Sequence, residues 1–198
     1  MAQQLSIIVE QMVTVDGFAA APDGGLEFAE ATMPRDDLTD HAQLAMLESV
    51  DAIVLGRRTY AMFAQYWPGA DPAVEGVAEP INRLPKLVVS STLGRAPWGG
   101  AGPDEIEVLR PDPTAADAVA GLADRFGTVI VWGSLQLANA LMETGLVTRL
   151  RLRVCPAVLG DGLRFTPPGL GLTLLRLESS TALPSGHVMT EYAVAAPA

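Results

Sequence analysis

From residue 5 to about residue 145, short β-branched apolar runs alternate with stretches of helical character, and beyond that point the alternation stops. No other feature constrains the fold as strongly. A strand, a helix and a second strand close as a right-handed crossover and build a parallel sheet, whereas strands without helices between them pair antiparallel. Residues 5–15 (LSIIVEQMVTV) read as a buried strand ended by Asp16-Gly17. Residues 21–35, with Pro22, two glycines and Pro34, read as a long loop. A helix is expected over about 37–49, with Asp36, Asp37 and Asp40 in its first turns, where acids complement the dipole. Residues 51–55 read as a strand that Gly56 turns into a helix over about 58–66, and Trp67-Pro68-Gly69 stops that helix.

Residues 69–83 read as an exposed excursion. Strands follow at 87–90 and 106–109, a helix over 114–126, a strand at 128–131, and a helix over about 134–144 capped by Gly145. Residues 147–159 (VTRLRLRVCPAVL) alternate as a long strand, and 172–179 with 188–194 read as a closing antiparallel pair. The result is an α/β domain: a mixed, mostly parallel central sheet of about eight strands, four flanking helices and an antiparallel C-terminal edge.

Composition removes several classes of function. With 49% hydrophobic and 18% charged residues in 198, a real core is available and disorder is disfavoured. The net charge of −10 offers little from which to build a nucleic-acid face. No run is long and apolar enough for a membrane span, and the opening MAQQLSIIVEQM lacks a signal-peptide pattern, so a cytoplasmic location is expected. Cys155 is the sole cysteine and lies in an apolar run, which suits a buried inert thiol. Two histidines, His41 and His187, and one cysteine give poor material for a zinc centre, and no metal is expected.

Ligands of open α/β sheets gather where strand ends feed helix starts. Three such junctions carry small or hydroxyl residues: Gly56-Arg57-Arg58-Thr59, Ser90-Ser91-Thr92-Leu93 and Trp132-Gly133-Ser134-Leu135. Together they suit a diphosphate and a further phosphate. Neither GxGxxG nor GxxxxGK[ST] is present.

Acidic side chains are the remaining candidates for chemistry, as proton donors. The candidate acids are Glu10, Asp16, Glu27, Asp37 and Asp40, of which Asp16 and Glu27 are taken as catalytic. Glu10 interrupts an apolar strand, and alternation puts it on one face with Met12, Thr14 and Asp16. A carboxylate there meets a substrate, pairs with an arginine or lies on an edge strand. Phe28 and Trp67 are the aromatic walls expected for a flat substrate.

The segments TVDGFA at 14–19, DAIVLGRRTY at 51–60, KLVVSSTL at 86–93, VIVWGSLQLA at 129–138 and LGDGLRF at 159–165 resemble the dihydrofolate reductase-like family. The closer branch is the RibD C-terminal type, the reductase domain of riboflavin biosynthesis. The resemblance implies a three-layer dihydrofolate reductase-like fold, one domain over 1–198, with NADPH across the carboxyl edge of the sheet. By position it implies that Gly56, Arg57, Arg58 and Thr59 meet the diphosphate and the 2′-phosphate side. Ser90, Ser91, Thr92 and Leu93 would line the adenosine end, and Gly133, Ser134, Leu135 and Gln136 would cap the diphosphate from the other helix. Glu10, Met12, Phe28 and Trp67 would meet a small heterocycle, such as a pterin or an aminopyrimidine. A homodimer is also implied, and the apolar strand 150–159 is the expected site of twofold pairing. Trp132-Gly133 stands where many relatives have two glycines, and Thr148-Arg149 where this branch often has Asp-Glu. A nucleotide-binding or interaction protein on the same fold, without turnover, is the competing reading.

Overall fold

The chain was analysed as a computed structural model that describes residues 5–33, 37–99 and 105–195. Asp36 and the end of the expected 21–35 loop lie outside them. In chain order the elements are β1 (Ser6–Thr14), β2 (Phe18–Ala20), α1 (Glu27–Thr32), α2 (Asp37–Glu48), β3 (Ala52–Gly56), α3 (Arg57–Tyr66), α4 (Ala78–Arg83), β4 (Lys86–Val89), β5 (Glu107–Leu109), α5 (Ala115–Ala120), β6 (Thr128–Trp132), α6 (Leu135–Glu143), β7 (Arg149–Cys155), β8 (Leu163–Arg164), β9 (Leu175–Ala182) and β10 (Val188–Val194). Eight strands form one sheet in the order β5-β4-β3-β6-β1-β7-β10-β9. Every pair from β5 to β7 is parallel, and β10 runs antiparallel to both β7 and β9.

The central strands are buried on both faces, as parallel strands under crossover helices must be. On one face Ile7, Val9, Val54, Val129 and Val131 meet Ala116 and Val119 of α5 and Leu137, Ala138 and Leu141 of α6. On the other, Ile8, Ile53, Leu55 and Ile130 meet Met46 and Leu47 of α2, Tyr60 and Phe63 of α3, and Ile81 of α4. A smaller cluster joins Phe28 and Ala29 of α1 to Cys155, with Met12 packed against it. Cys155 is buried, and burial raises its thiol pKa, so it holds its proton more firmly than a free cysteine.

Several expectations need correction. Residues 69–83 are not wholly an exposed excursion: α4 buries Ala78 and Ile81. The Lys86 ammonium holds this short helix, donating to the carbonyls of Ile81, Asn82 and Leu84 at 2.6–2.8 Å. Burial lowers that ammonium's pKa to about 8. The 21–35 loop contains α1, which inserts Phe28 beneath the rim. The 114–126 helix is α-helical only to Ala120 and then tightens into a 3-10 turn beginning at Gly121. Nor is 150–159 an edge. β7 ends before Pro156 and lies between β1 and β10, so the free edge at the antiparallel end of the sheet belongs to β9, whose residues are exposed throughout.

A second, two-stranded ladder joins β2 to β8. It needs Gly162, where an added Cβ would come within 2.3 Å of the Ala20 carbonyl. Nearby, Asp16 ties the end of β1 to the segment after β7, accepting from the Gly160 amide at 2.7 Å and the Leu159 amide at 3.2 Å. Hydrogen bonding from the Thr14 hydroxyl, and then from the Gly160 and Leu159 amides, lowers the Asp16 pKa from 3.8 to about 2. The stability this carboxylate adds is therefore present above about pH 4 and lost as pH falls through about 2. Acid unfolding followed by circular dichroism should show D16N losing less stability than wild type between those values. Parallel acid profiles would contradict the assignment.

Candidate functional site

The carboxyl ends of β3, β4 and β6 stop at one level, because Gly56 is in register with Val89 and the Val54–Val131 pair brings Gly133 beside it. β1 and β7 run on past that level. Glu10 is in register with Trp132 and Arg151, whereas Met12 pairs with Arg153 and Thr14 with Cys155 beyond the end of β6. The structure thus forms a rim beside a raised wall.

Two helices begin side by side on the rim. The Gly56 amide donates to Ser134 Oγ at 2.8 Å, the Ser134 amide to Thr59 Oγ1 at 3.0 Å, and Ser134 Oγ to the Trp132 carbonyl at 3.0 Å. A Cβ on Gly56 would lie 3.4 Å from that of Ser134, so glycine permits this approach. The turn into α6 is made by Gly133 at φ 57° and Ser134 at φ 52°, both left-handed. Trp132 is therefore compatible with a tight turn, which occurs after it, and its ring packs edge-on against Phe63 at 5.7 Å. The Gly133 amide donates to the Glu10 carbonyl, and its own carbonyl accepts from the Gln11 amide group.

Neither α3 nor α6 has a side-chain cap at its start, whereas α5 is capped by Thr114. First-turn amides of α3 and α6 are thus left for solvent or a ligand. Arg57 and Arg58 are exposed in the first turn of α3, with no acid in that turn. A Cβ on Gly24 would come within 3.7 Å of the Arg58 guanidinium, which places that side chain beside the loop before α1. Leu135 is half-buried and Gln136 exposed in the first turn of α6.

The second junction leads into a loop rather than a helix. Ser90 is buried, and its hydroxyl accepts from the Thr92 and Leu93 amides at 3.3 and 3.1 Å. Arg110 clamps the same turn through the Ser90 and Leu93 carbonyls. Ser91 and Thr92 remain exposed, and Leu93 packs against the core.

Along the wall, Met12 packs against the cluster of Phe28, Ala29 and Cys155. Trp67 does not join them. It stacks edge-on with Phe63 at 6.0 Å and Tyr66 at 5.0 Å and belongs to the neighbouring core cluster. Glu10 is 2% exposed. Its oxygens accept from Gln43 Nε2 at 2.6 Å and Arg151 Nε at 2.9 Å. Arg151 continues to Glu191 at 3.2 Å. A carboxylate in an apolar strand is thus accounted for by pairing with arginine, one of the readings its sequence context allows. Glu27 is exposed at the start of α1 and folds back toward Gly25. Asp16 serves as an acceptor, and an acid held near pKa 2 carries almost no proton at neutral pH.

Gln43, Arg151, Arg153 and Glu191 were not singled out from the sequence. The available signal was the alternation RLRLR in β7, which puts Arg149, Arg151 and Arg153 on one face. Among the described residues no group of three or more His, Cys, Asp or Glu side chains could hold a metal ion, and no helix is long and apolar enough to cross a membrane.

Similarity to known proteins extends over nearly the whole chain. An uncharacterized protein, YyaP, from Bacillus subtilis (strain 168) is 26% identical over 163 residues, covering 81% of this chain and 79% of its own. A putative riboflavin biosynthesis protein from Shewanella sp. PV-4 superposes with a TM-score of 0.75 at 20% identity, covering 96% of this chain and 99% of that one. A dihydrofolate reductase from Enterococcus faecalis, solved with NADP(H) and RAB-propyl, superposes with a TM-score of 0.56 at 11% identity, covering 96% of each chain. These superpositions establish a dihydrofolate reductase-like fold. Residues 6–189 match the RibD C-terminal domain, and the chain belongs to that family.

Proposed function

We propose that the chain is an NADPH-dependent reductase that delivers hydride to a small heterocyclic substrate, such as a pterin, an aminopyrimidine or a related ring. Membership of the RibD C-terminal domain family supports a reductase role. One observation carries the cofactor assignment: two uncapped helix starts lie side by side on one sheet rim, with Arg57 and Arg58 exposed on one of them. Cations at a helix N-terminus oppose the macrodipole by a few tenths of a kcal/mol or more each, and a bound polyanion reverses that penalty.

The residues present fit such a group. Gly56, Thr59, Gly133 and Ser134 are already locked together, so the cleft between the helices needs no reorganisation to receive a diphosphate. Leu135 and Gln136 stand in the first turn of α6 on the same cleft. Arg57 and Arg58 supply guanidinium forks for a 2′-phosphate. Ser91 and Thr92 offer hydroxyls to the adenosine end, on a turn that Ser90, Leu93 and Arg110 hold in place. When bound, NADPH supplies the hydride.

The remaining roles fall to the wall. Met12 and Phe28 form an apolar surface for the substrate ring, with Trp67 behind Phe63 as support. Glu10 positions Arg151. Glu27 is the proton source, since it is exposed next to Phe28, and Asp16 fixes the end of β1. A second reading, nucleotide binding without turnover, is favoured only by Asp16 being held in its ionised form. The assembly is a homodimer through β9, which carries exposed Leu175 and Leu177 on a free sheet edge.

Tryptophan fluorescence titration should show NADPH binding more tightly than NADH. R57A and R58A should each weaken NADPH by about tenfold to a hundredfold, the worth of a lost charge-assisted hydrogen bond. Equal affinity of wild type and both variants would remove the assignment. In a panel of pterins and aminopyrimidines, E27Q should lower kcat by about a hundredfold with little change in KM; unchanged turnover would exclude Glu27 as the donor. Light scattering should report a dimer that L175E/L177E converts to monomer, and a monomeric wild type would refute the β9 assembly.

A further inference from the structure

Arg153 is a buried cation that meets no carboxylate among the described residues. It stands on β7 opposite Met12 of β1 and Met189 of β10, so its side chain rises on the same face as theirs. The residue is 7% exposed, and its Nε is buried without an acceptor among the described residues. No ion pair to Arg153 exists among those residues either.

The carboxylates two residues along β1 and β10 on the same face, Glu10 and Glu191, are already in ion pairs. Glu10 accepts from Gln43 and Arg151. Glu191 accepts from Arg151 at 3.2 Å and from Arg149 at 3.4 Å. A guanidinium cannot shed its proton to escape burial, so an enclosed one is costly until an anion meets it.

Its position says where that anion comes from. Met12 and Arg153 lie two residues, about 7 Å, beyond the rung where β6 ends. They are therefore on the wall above the rim, not in the deep core, and Met12 packs there against the Phe28 cluster.

We propose that Arg153 receives a carboxylate carried by the substrate, seated beside Met12. The naming of that molecule as substrate rests on the reductase reading above; the anion site does not. One guanidinium balances one negative charge and matches a carboxylate with two parallel hydrogen bonds. A phosphate monoester brings about 1.5 to 2 charges and asks for further donors, and Arg151 is already committed to Glu10 and Glu191. The site thus selects rings that bear a carboxylate over unsubstituted pterins.

The test is thermal unfolding of the whole chain with benzoate, inorganic phosphate or chloride at matched ionic strength and without NADPH. Benzoate should raise the wild-type Tm above the chloride control, and phosphate should raise it less. R153M should lose the benzoate shift, weakening apparent affinity by at least about tenfold, while R57A keeps it. R153K, retaining charge without the fork, should keep a smaller shift, which guards against a folding defect in R153M. R153M alone should be at least as stable as wild type. No benzoate shift in wild type, or a full shift in R153M, overturns the site, and a larger phosphate shift overturns the carboxylate assignment. NADPH titration of the same samples separates the two readings: benzoate protection through Arg153 in a protein that fails to bind NADPH would leave this site standing and remove the redox role.

Discussion

Ser134 joins the starts of two helices. Its hydroxyl accepts the Gly56 amide and its own amide is given to Thr59, so α3 and α6 leave the sheet as one rigid pair. Nearly everything proposed about the rim depends on this link. It requires Ser134 in a left-handed conformation, unusual for a residue with a side chain. With the Ser134 side chain spent on cross-linking, it does not cap its own helix. The same arrangement that locks the helices together thus leaves their first turns open toward a common ligand.

The wall beside the rim follows a different logic. β1 and β7 continue past the neighbouring strand ends, and the residues facing α1 and α2 there include charges as well as apolar side chains. Glu10, Gln43, Arg151 and Glu191 satisfy one another in a chain of short contacts that draws on four separate elements. Such a network is costly if half-made and rigid once complete. These four residues pair among themselves, and among the described residues the buried Nε of Arg153 is left without an acceptor. Asp16 contributes at the far end of the wall by holding the loop after β7 against the end of β1.

How much of this the sequence made legible varied with the source of each element's stability. β1, β3 and β6 were readable because central parallel strands are apolar on both faces, and the glycines after β3 and β6 marked the rim. α1 and α4 were not. Each buries only two residues, Phe28 with Ala29 and Ala78 with Ile81, and α4 depends on a lysine that reaches back from β4. Periodicity cannot register so short an amphipathic face. The β2–β8 ladder was invisible for a related reason, since β8 has two residues and forms only because Gly162 lets β2 approach. The edge was misplaced because apolar content suggested 150–159, whereas β10 folds back onto β7 and leaves the polar, exposed β9 outermost. At the site, the three junctions lie in sequence as local patterns, but the partners of Glu10 come from α2 and β7, more than thirty and more than a hundred residues away.

The central claim is that the two linked helix starts form a single polyanion site for NADPH. Amide hydrogen exchange with and without NADPH tests it most directly, because it reads the backbone groups themselves. The account requires exchange to slow together in residues 56–59 and 133–136, with no comparable change along β9. Protection confined to one segment, or none in either, would contradict it.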